Sequence, residues 1–217
     1  MFVTYRGHSC LLLQVADRRI LLDPGGFSDF DDIRDLTAIV VTHQHADHLD
    51  VERLPALLRA NPQARLIAEP QIADQIRERG FDVELLQGEP LHLGEGLTAH
   101  PIPGIHALIH EDLPRVGNTG VVFRAEGEPS LYHPGDDLAA DPGPVDVLAV
   151  PLNGPWCALR DTVDFVRRIA APCFVPIHDA LLAPAGRDLY LGQVDALSGD
   201  GVHARDLVGR GQVEFTR

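Results

Sequence analysis

Thr42-His43-Gln44-His45-Ala46-Asp47-His48-Leu49-Asp50 is the stretch on which the rest of the sequence turns. It follows Ala38-Ile39-Val40-Val41, a short β-branched run of the kind that forms a strand buried on both faces. In an extended continuation side chains alternate, which would put His43, His45 and Asp47 on one side and leave His48 where the chain must turn. Neutral imidazole and carboxylate are the donors that suit Zn²⁺, Fe²⁺ or Mn²⁺. A solvated histidine-rich loop is the plain alternative, but such a loop gains nothing from four of these groups at these intervals.

The chain around this stretch is ordinary in hydrophobic content and acidic in balance. Its 217 residues are expected to form one domain, 1–217, with ample chain for a core. Asp and Glu number 32 against 18 basic residues, a formal charge of −14. That surface repels a phosphate backbone, so nucleic acid is not an expected partner and a small-molecule substrate is. All the basic residues are arginine, which removes lysine Schiff-base chemistry and the phosphate-loop lysine. No apolar run approaches the roughly 20 residues that span a bilayer, and Met1 to Tyr5 reads as a strand rather than a leader. Cys10, Cys157 and Cys173 are odd in number and widely spaced, which fits small buried hydrophobes better than disulfides. The expectation is a cytoplasmic protein, with a homo-oligomer left open.

Strands are expected at Phe2–Tyr5, Cys10–Val15 and Arg19–Leu22, the last stopped by Asp23-Pro24-Gly25-Gly26. Asp29 to Leu36 is expected to form a short helix. A further helix starts near Leu54 with Pro55 in its first turn, and others are expected at 71–79, 160–170 and 187–197. Strands at 65–68, 83–86, 120–125, 130–132, 145–150, 173–177 and 212–215 alternate with them, which implies an α/β layered core. Leu91–Leu93 and Leu97–His100 read as a hairpin, followed by a long loop, 101–117, that carries His106 and His110. Loops of that length in a compact domain are usually functional.

The six-position pattern His43-x-His45-x-Asp47-His48 after a strand resembles the metal-binding signature of the metallo-β-lactamase superfamily of hydrolases. The opening Gly7-His8-Ser9 and Leu21-Leu22-Asp23-Pro24-Gly25 is similar to the start of its ascorbate-phosphate lactonase-like branch, as is Gly104-Ile105-His106-Ala107-Leu108-Ile109-His110. The resemblance implies an αββα four-layer sandwich and two divalent metal ions, zinc by default with manganese or iron also suited to the donors. It asks for a third histidine, a bridging aspartate and a last histidine, each beyond a strand. Asp136 in His133-Pro134-Gly135-Asp136 and His178 in Val175-Pro176-Ile177-His178 fit the last two. His106 is taken as the third, with His100 and His110 as alternatives.

The implied set is then His43, His45 and His106 on one ion, Asp47, His48 and His178 on the other, and Asp136 between them. Catalytic work would fall to Asp47, Asp136 and His8, with Asp23 beneath the centre and His110 and Trp156 lining the substrate pocket. The implied reaction is attack by a metal-bridging hydroxide on a small ester, lactone or phosphodiester. Two departures from the branch, Asp137 in place of Thr and Asp179 in place of Tyr, bear on the substrate rather than the metals. A non-catalytic metal scaffold or sensor is the rival reading. An α/β nucleotide binder would need a glycine-rich phosphate turn, which Asp23-Pro24-Gly25-Gly26 does not supply.

Overall fold

The computed structural model describes residues 1–217. Its first half contains β1 (Phe2–Tyr5), β2 (Leu11–Val15), β3 (Arg18–Leu22), β4 (Ala38–Val41), α1 (Leu54–Ala60), β5 (Arg65–Ala68), α2 (Pro70–Glu78) and β6 (Glu84–Leu85). Then come β7 (Leu91–His92), β8 (Leu97–Ile105), β9 (Gly117–Ala125), β10 (Leu131–His133), β11 (Val147–Pro151), α3 (Leu159–Ile169), β12 (Cys173–Ile177), α4 (Pro184–Leu197), β13 (His203–Ala204) and β14 (Gln212–Glu214). They form two seven-stranded sheets, ordered β14-β1-β2-β3-β4-β5-β6 and β13-β12-β11-β10-β9-β8-β7. Each sheet is mixed: β3 to β6 and β10 to β13 run parallel, and the remaining pairs are antiparallel.

The two sheets pack face to face. Ala38 and Val40 of β4 point into the core between them, beside Leu11, Leu13, Val121, Phe123 and Ala149. Ile39 and Val41 point the other way, onto Leu54, Leu57, Ile72 and Ile76 of α1 and α2. On the second sheet, Leu148 and Val150 of β11 meet Val163, Phe165 and Val166 of α3. The order of layers is therefore α, β, β, α, the sandwich expected from the resemblance. A central strand buried on both faces cannot alternate apolar with polar, which is why β4 and β11 read as unbroken apolar runs.

Two segments depart from the sequence expectation. Residues 29–36 form turns and no helix. Phe30, Ile33 and Leu36 have helical spacing and are buried, but side chains from elsewhere take up this backbone. Asn61 receives the Leu36 amide and donates to the Ile33 carbonyl, and Arg6 donates to the Asp29 carbonyl. The second departure is β8, which continues through Pro101 and Pro103 to Ile105. β7 pairs with it only at Thr98 and Ala99, so the prolines lie where β8 has no neighbour on that side and lose no ladder bond. The loop that follows is consequently shorter, 106–116.

A charged clamp fixes α4 to the segment after β13. Arg187 donates to Asp206 through both terminal nitrogens at 2.8 Å and to Asp179 through Nε at 2.6 Å. The hydrogen bond from Arg187 holds the Asp206 carboxyl below its usual range. A depressed native pKa adds stability above the unfolded value of about 3.9, and that contribution is lost as pH falls through the native value. Arg187→Met is therefore expected to lower the urea midpoint clearly at neutral pH and by much less near pH 3. Equal losses at the two pH values would contradict the clamp.

Candidate metal centre

The centre sits at one end of the sandwich, where the carboxyl ends of several strands meet, the usual place for a site in an open parallel sheet. His8 comes from the β1–β2 turn, Asp23 from the end of β3, and His43 to His48 from the loop after β4. His106 follows β8, Asp136 follows β10 and His178 follows β12. Close backbone approaches make this convergence work. A Cβ on Gly25 would lie 1.8 Å from the Asp47 carbonyl oxygen, and one on Gly135 would lie 2.3 Å from Asn118 Oδ1. His8, Asp23 and His178 themselves have φ of 53°, 44° and 56°, a region that side chains other than glycine rarely enter.

Two groups of donors result, His43, His45, His106 and Asp136 in one and His8, Asp47, His48 and His178 in the other. Within each group the ligand atoms lie within 4.8 Å of one another. Asp136 stands between the groups. One of its oxygens is 3.2 Å from both His106 Nε2 and His178 Nε2, and the other is 3.1 Å from His48 Nε2. The loop 42–50 is not extended, however. It turns at once, with the His48 and Leu49 amides both donating to the His45 carbonyl. Turning, not alternation, divides the motif, sending His43 and His45 to one group and Asp47 and His48 to the other. Of the alternatives to His106, His100 lies on β8 against Thr98 Oγ1, and His110 is exposed on the loop, accepting the Asp112 amide.

Hydrogen bonds on the far ring nitrogens set which nitrogen faces inward. Nδ1 of His48 donates to Asp23 at 2.6 Å, Nδ1 of His106 to the Ala107 carbonyl at 2.6 Å, and Nδ1 of His178 to the Asn153 carbonyl. Thr42 Oγ1 gives its proton to Asp23, so at 3.1 Å it accepts from His43 Nδ1. Each of these four rings thereby turns its Nε2 inward, the orientation that metal-ligating imidazoles take. His8 differs. Its Nδ1 accepts the Ala180 amide at 3.3 Å, so Nε2 carries the proton and donates to Asp47 at 3.1 Å. In this arrangement His8 holds Asp47 rather than offering a lone pair.

The electrostatics suit a cation. Burial holds His43, His45 and His8 below the usual imidazole range. Burial opposes charge on His48 too, but Asp136 and Asp23 outweigh it and keep that ring well above its usual range. His178 is pushed up to about 9, its burial overcome chiefly by Asp136. Burial likewise works against charge on Asp136 and Asp47, yet the surrounding imidazoles bring both well below the usual carboxylate range. In the protein alone, His48 and His178 supply the positive charge that these carboxylates hold at the middle of the cluster, the place a cation would take. Asp136 Oδ1 and His178 Nε2 are buried without a hydrogen-bond partner in the protein, although both have neighbours within 3.2 Å. Inward-facing ring nitrogens, two carboxylates and orphaned ligand atoms fit a divalent metal pair with N and O ligands.

The sequence profile described as Beta-lactamase superfamily domain matches residues 2–178. The chain belongs to this superfamily. It is 43% identical over 200 residues to Protein Rv0786c of Mycobacterium tuberculosis, covering 91% of this chain and 93% of that protein. A UPF0173 metal-dependent hydrolase of Methanospirillum hungatei is 30% identical over 193 residues, covering 82% of each. In three dimensions the metallo-beta-lactamase fold protein YhfI of Bacillus subtilis superposes with a TM-score of 0.71 at 15% identity, over 94% of this chain and 95% of that one.

This superfamily member surrounds its donors with residues that no short motif marks. Asn118 accepts the Asp136 amide and donates to the Pro134 carbonyl, which fixes the turn carrying Asp136. Tyr5 accepts the His8 amide at 2.7 Å and donates to Asp179, which Arg187 anchors in turn. Asp179 was legible only as a departure from the branch pattern, and Arg187 as one more arginine. The Trp156 ring centroid stands 5.8 Å from that of His106 and 5.5 Å from that of His178, and its indole packs over Gly154.

Asp23 is the most consequential of these supports, since it accepts from Thr42 N, Thr42 Oγ1 and His48 Nδ1 and is fully buried. Asp23→Ala is expected to weaken metal affinity about 10–100-fold, as loss of such outer partners does. Each buried donor left without an acceptor should also cost roughly 1–3 kcal/mol. Metal titration and urea unfolding in chelator measure the two effects separately, and unchanged affinity would remove Asp23 from the centre's support.

Proposed function

We propose that this protein is a metal-dependent hydrolase with a dinuclear centre, zinc by default, acting on a small ester, lactone or phosphodiester. The observation that carries the reading is Asp136, whose two oxygens face donors of both groups. The Methanospirillum hungatei relative, a UPF0173 metal-dependent hydrolase, supports it at the level of the reaction class. His43, His45 and His106 would hold one ion and Asp47, His48 and His178 the other, with Asp136 serving both. When bound, such a pair acidifies a shared water from a pKa of 15.7 to about 7 and polarises the oxygen at the reacting centre.

The protein's own groups have distinct parts in this scheme. Asp23, Thr42 and the Ala107 and Asn153 carbonyls keep the imidazoles turned inward. His8 fixes the orientation of Asp47, to which its Nε2 proton is donated. Trp156 walls the centre on the His106 and His178 side. No serine or cysteine nucleophile is required, and the thiol of Cys157 is pushed up by burial, which makes it a poor one. His110 and Trp156 remain the proposed pocket residues, the former reaching the substrate only from the exposed loop.

Protein purified without chelator is expected to carry close to two transition-metal ions per chain and to cleave generic activated esters or phosphodiesters. His178→Ala should retain one ion and lose at least about a hundredfold in rate, equivalent to roughly 2.7 kcal/mol. Mass-spectrometric metal counts paired with turnover provide the test. A single ion with near-normal turnover in the variant would mean a mononuclear enzyme, and bound metal without any turnover would favour the scaffold reading.

A further inference from the structure

A cleft of about 380 Å³ opens beside the metal centre, lined by Ala107, Leu138, Ala139, Trp156 and Phe165 together with five charged residues. Four of those five are already committed to the protein. Arg115 donates to the His106 carbonyl at 2.9 and 3.1 Å, and Arg168 to the Leu138 and Ala140 carbonyls at 2.6 and 3.1 Å. Asp137 accepts the Ala139 and Ala140 amides, and Asp161 accepts the Ala158 amide and pairs with Arg160. Asp164 makes no such bond and, like Arg115 and Arg168, is exposed. Beside these charged groups the cleft offers a ligand the apolar surface of Ala107, Leu138, Ala139, Trp156 and Phe165.

The apolar character continues around the donors. A narrow crevice joins His45 and His106 to Ile109, Leu113, Pro114 and Val116 of the 106–116 loop. Leu108 and Leu113 of that loop are 49% and 50% exposed, a cost that unbound protein bears without any packing return. On the far side Phe27, 52% exposed, meets His8 edge to face at 5.3 Å.

We infer that the cleft between Trp156 and α3 takes an apolar acyl or aryl group of the substrate, which holds the scissile bond over the metal centre. This rests on the hydrolase reading given above. The volume is ample: an apolar cavity of about 150 Å³ accommodates benzene, so chains of about six to eight carbons fit here. Recognition of the group held in the cleft would then grow with the apolar area it buries.

Trp156 is the sole tryptophan of the chain, so its fluorescence reports occupancy of the cleft without catalysis. The experiment titrates the protein as purified with the four-, six- and eight-carbon linear carboxylates and with the alcohols of the same lengths. Binding is expected to tighten about fourfold for each added methylene in both series, with carboxylates tighter than alcohols because their head reaches the metals. Ala139→Phe, at an exposed position on the cleft wall, should keep the fold by circular dichroism and abolish the dependence on length. If alcohols tighten with length while carboxylates gain nothing over them, the cleft stands and the metal reading fails. If neither series depends on length, or Ala139→Phe binds like the parent, the inference is overturned.

Discussion

The centre hangs on one buried carboxylate that does not itself face the inner donors. Asp23 receives the Thr42 amide, the Thr42 hydroxyl and the His48 ring at 2.7–2.8 Å and 2.6 Å. It thereby ties the end of β3 to the loop after β4, and the same threonine oxygen orients His43. A carboxylate with no solvent and three strong donors is stable only while all three remain, because an unpaired buried charge is far costlier than the hydrogen bonds it forgoes. Inner geometry is thus inherited from a strand-to-loop junction rather than set by the donors alone.

The second support runs outward. From His8 the path passes through the Tyr5 hydroxyl to Asp179, then Arg187, and ends at Asp206 near the last strand. Burial, with the nearby Asp179 charge adding to it, raises the Tyr5 phenol far above its usual range, so this hydroxyl remains a donor at any physiological pH. Residues that appear peripheral in the sequence are in this way mechanically continuous with His8 and His178. The profile match stops at residue 178, and the elements that complete this path lie beyond it.

How much of this was legible in sequence depended on whether the signal was local. β4 could be read because burial on both faces leaves an unbroken apolar run, and the histidine loop because its donors crowd nine positions. His106, Asp136 and His178 were singled out through family likeness, since each alone is an ordinary strand-end residue, and the fold brings them together with the histidine loop. The helix expected at 29–36 failed because distant side chains, Asn61 and Arg6, satisfy that backbone instead. The extension of β8 through two prolines was hidden because edge position is a property of the assembled sheet. The tautomer of His8 depends on the Ala180 amide, 172 residues away, and no pattern could announce it.

Three residues at the centre, His8, Asp23 and His178, occupy the left-handed backbone region, each at a cost of about 1 kcal/mol or more relative to glycine. None can relax without moving a donor or the carboxylate beneath one. Glycine would relieve that torsion at any of the three, but at Asp23 the donors of Thr42 and His48 would lose their acceptor, a larger cost than the strain removed. The strained torsions are thus held in place by the same hydrogen bonds that orient the donors, so local backbone strain and the geometry of the centre cannot be separated.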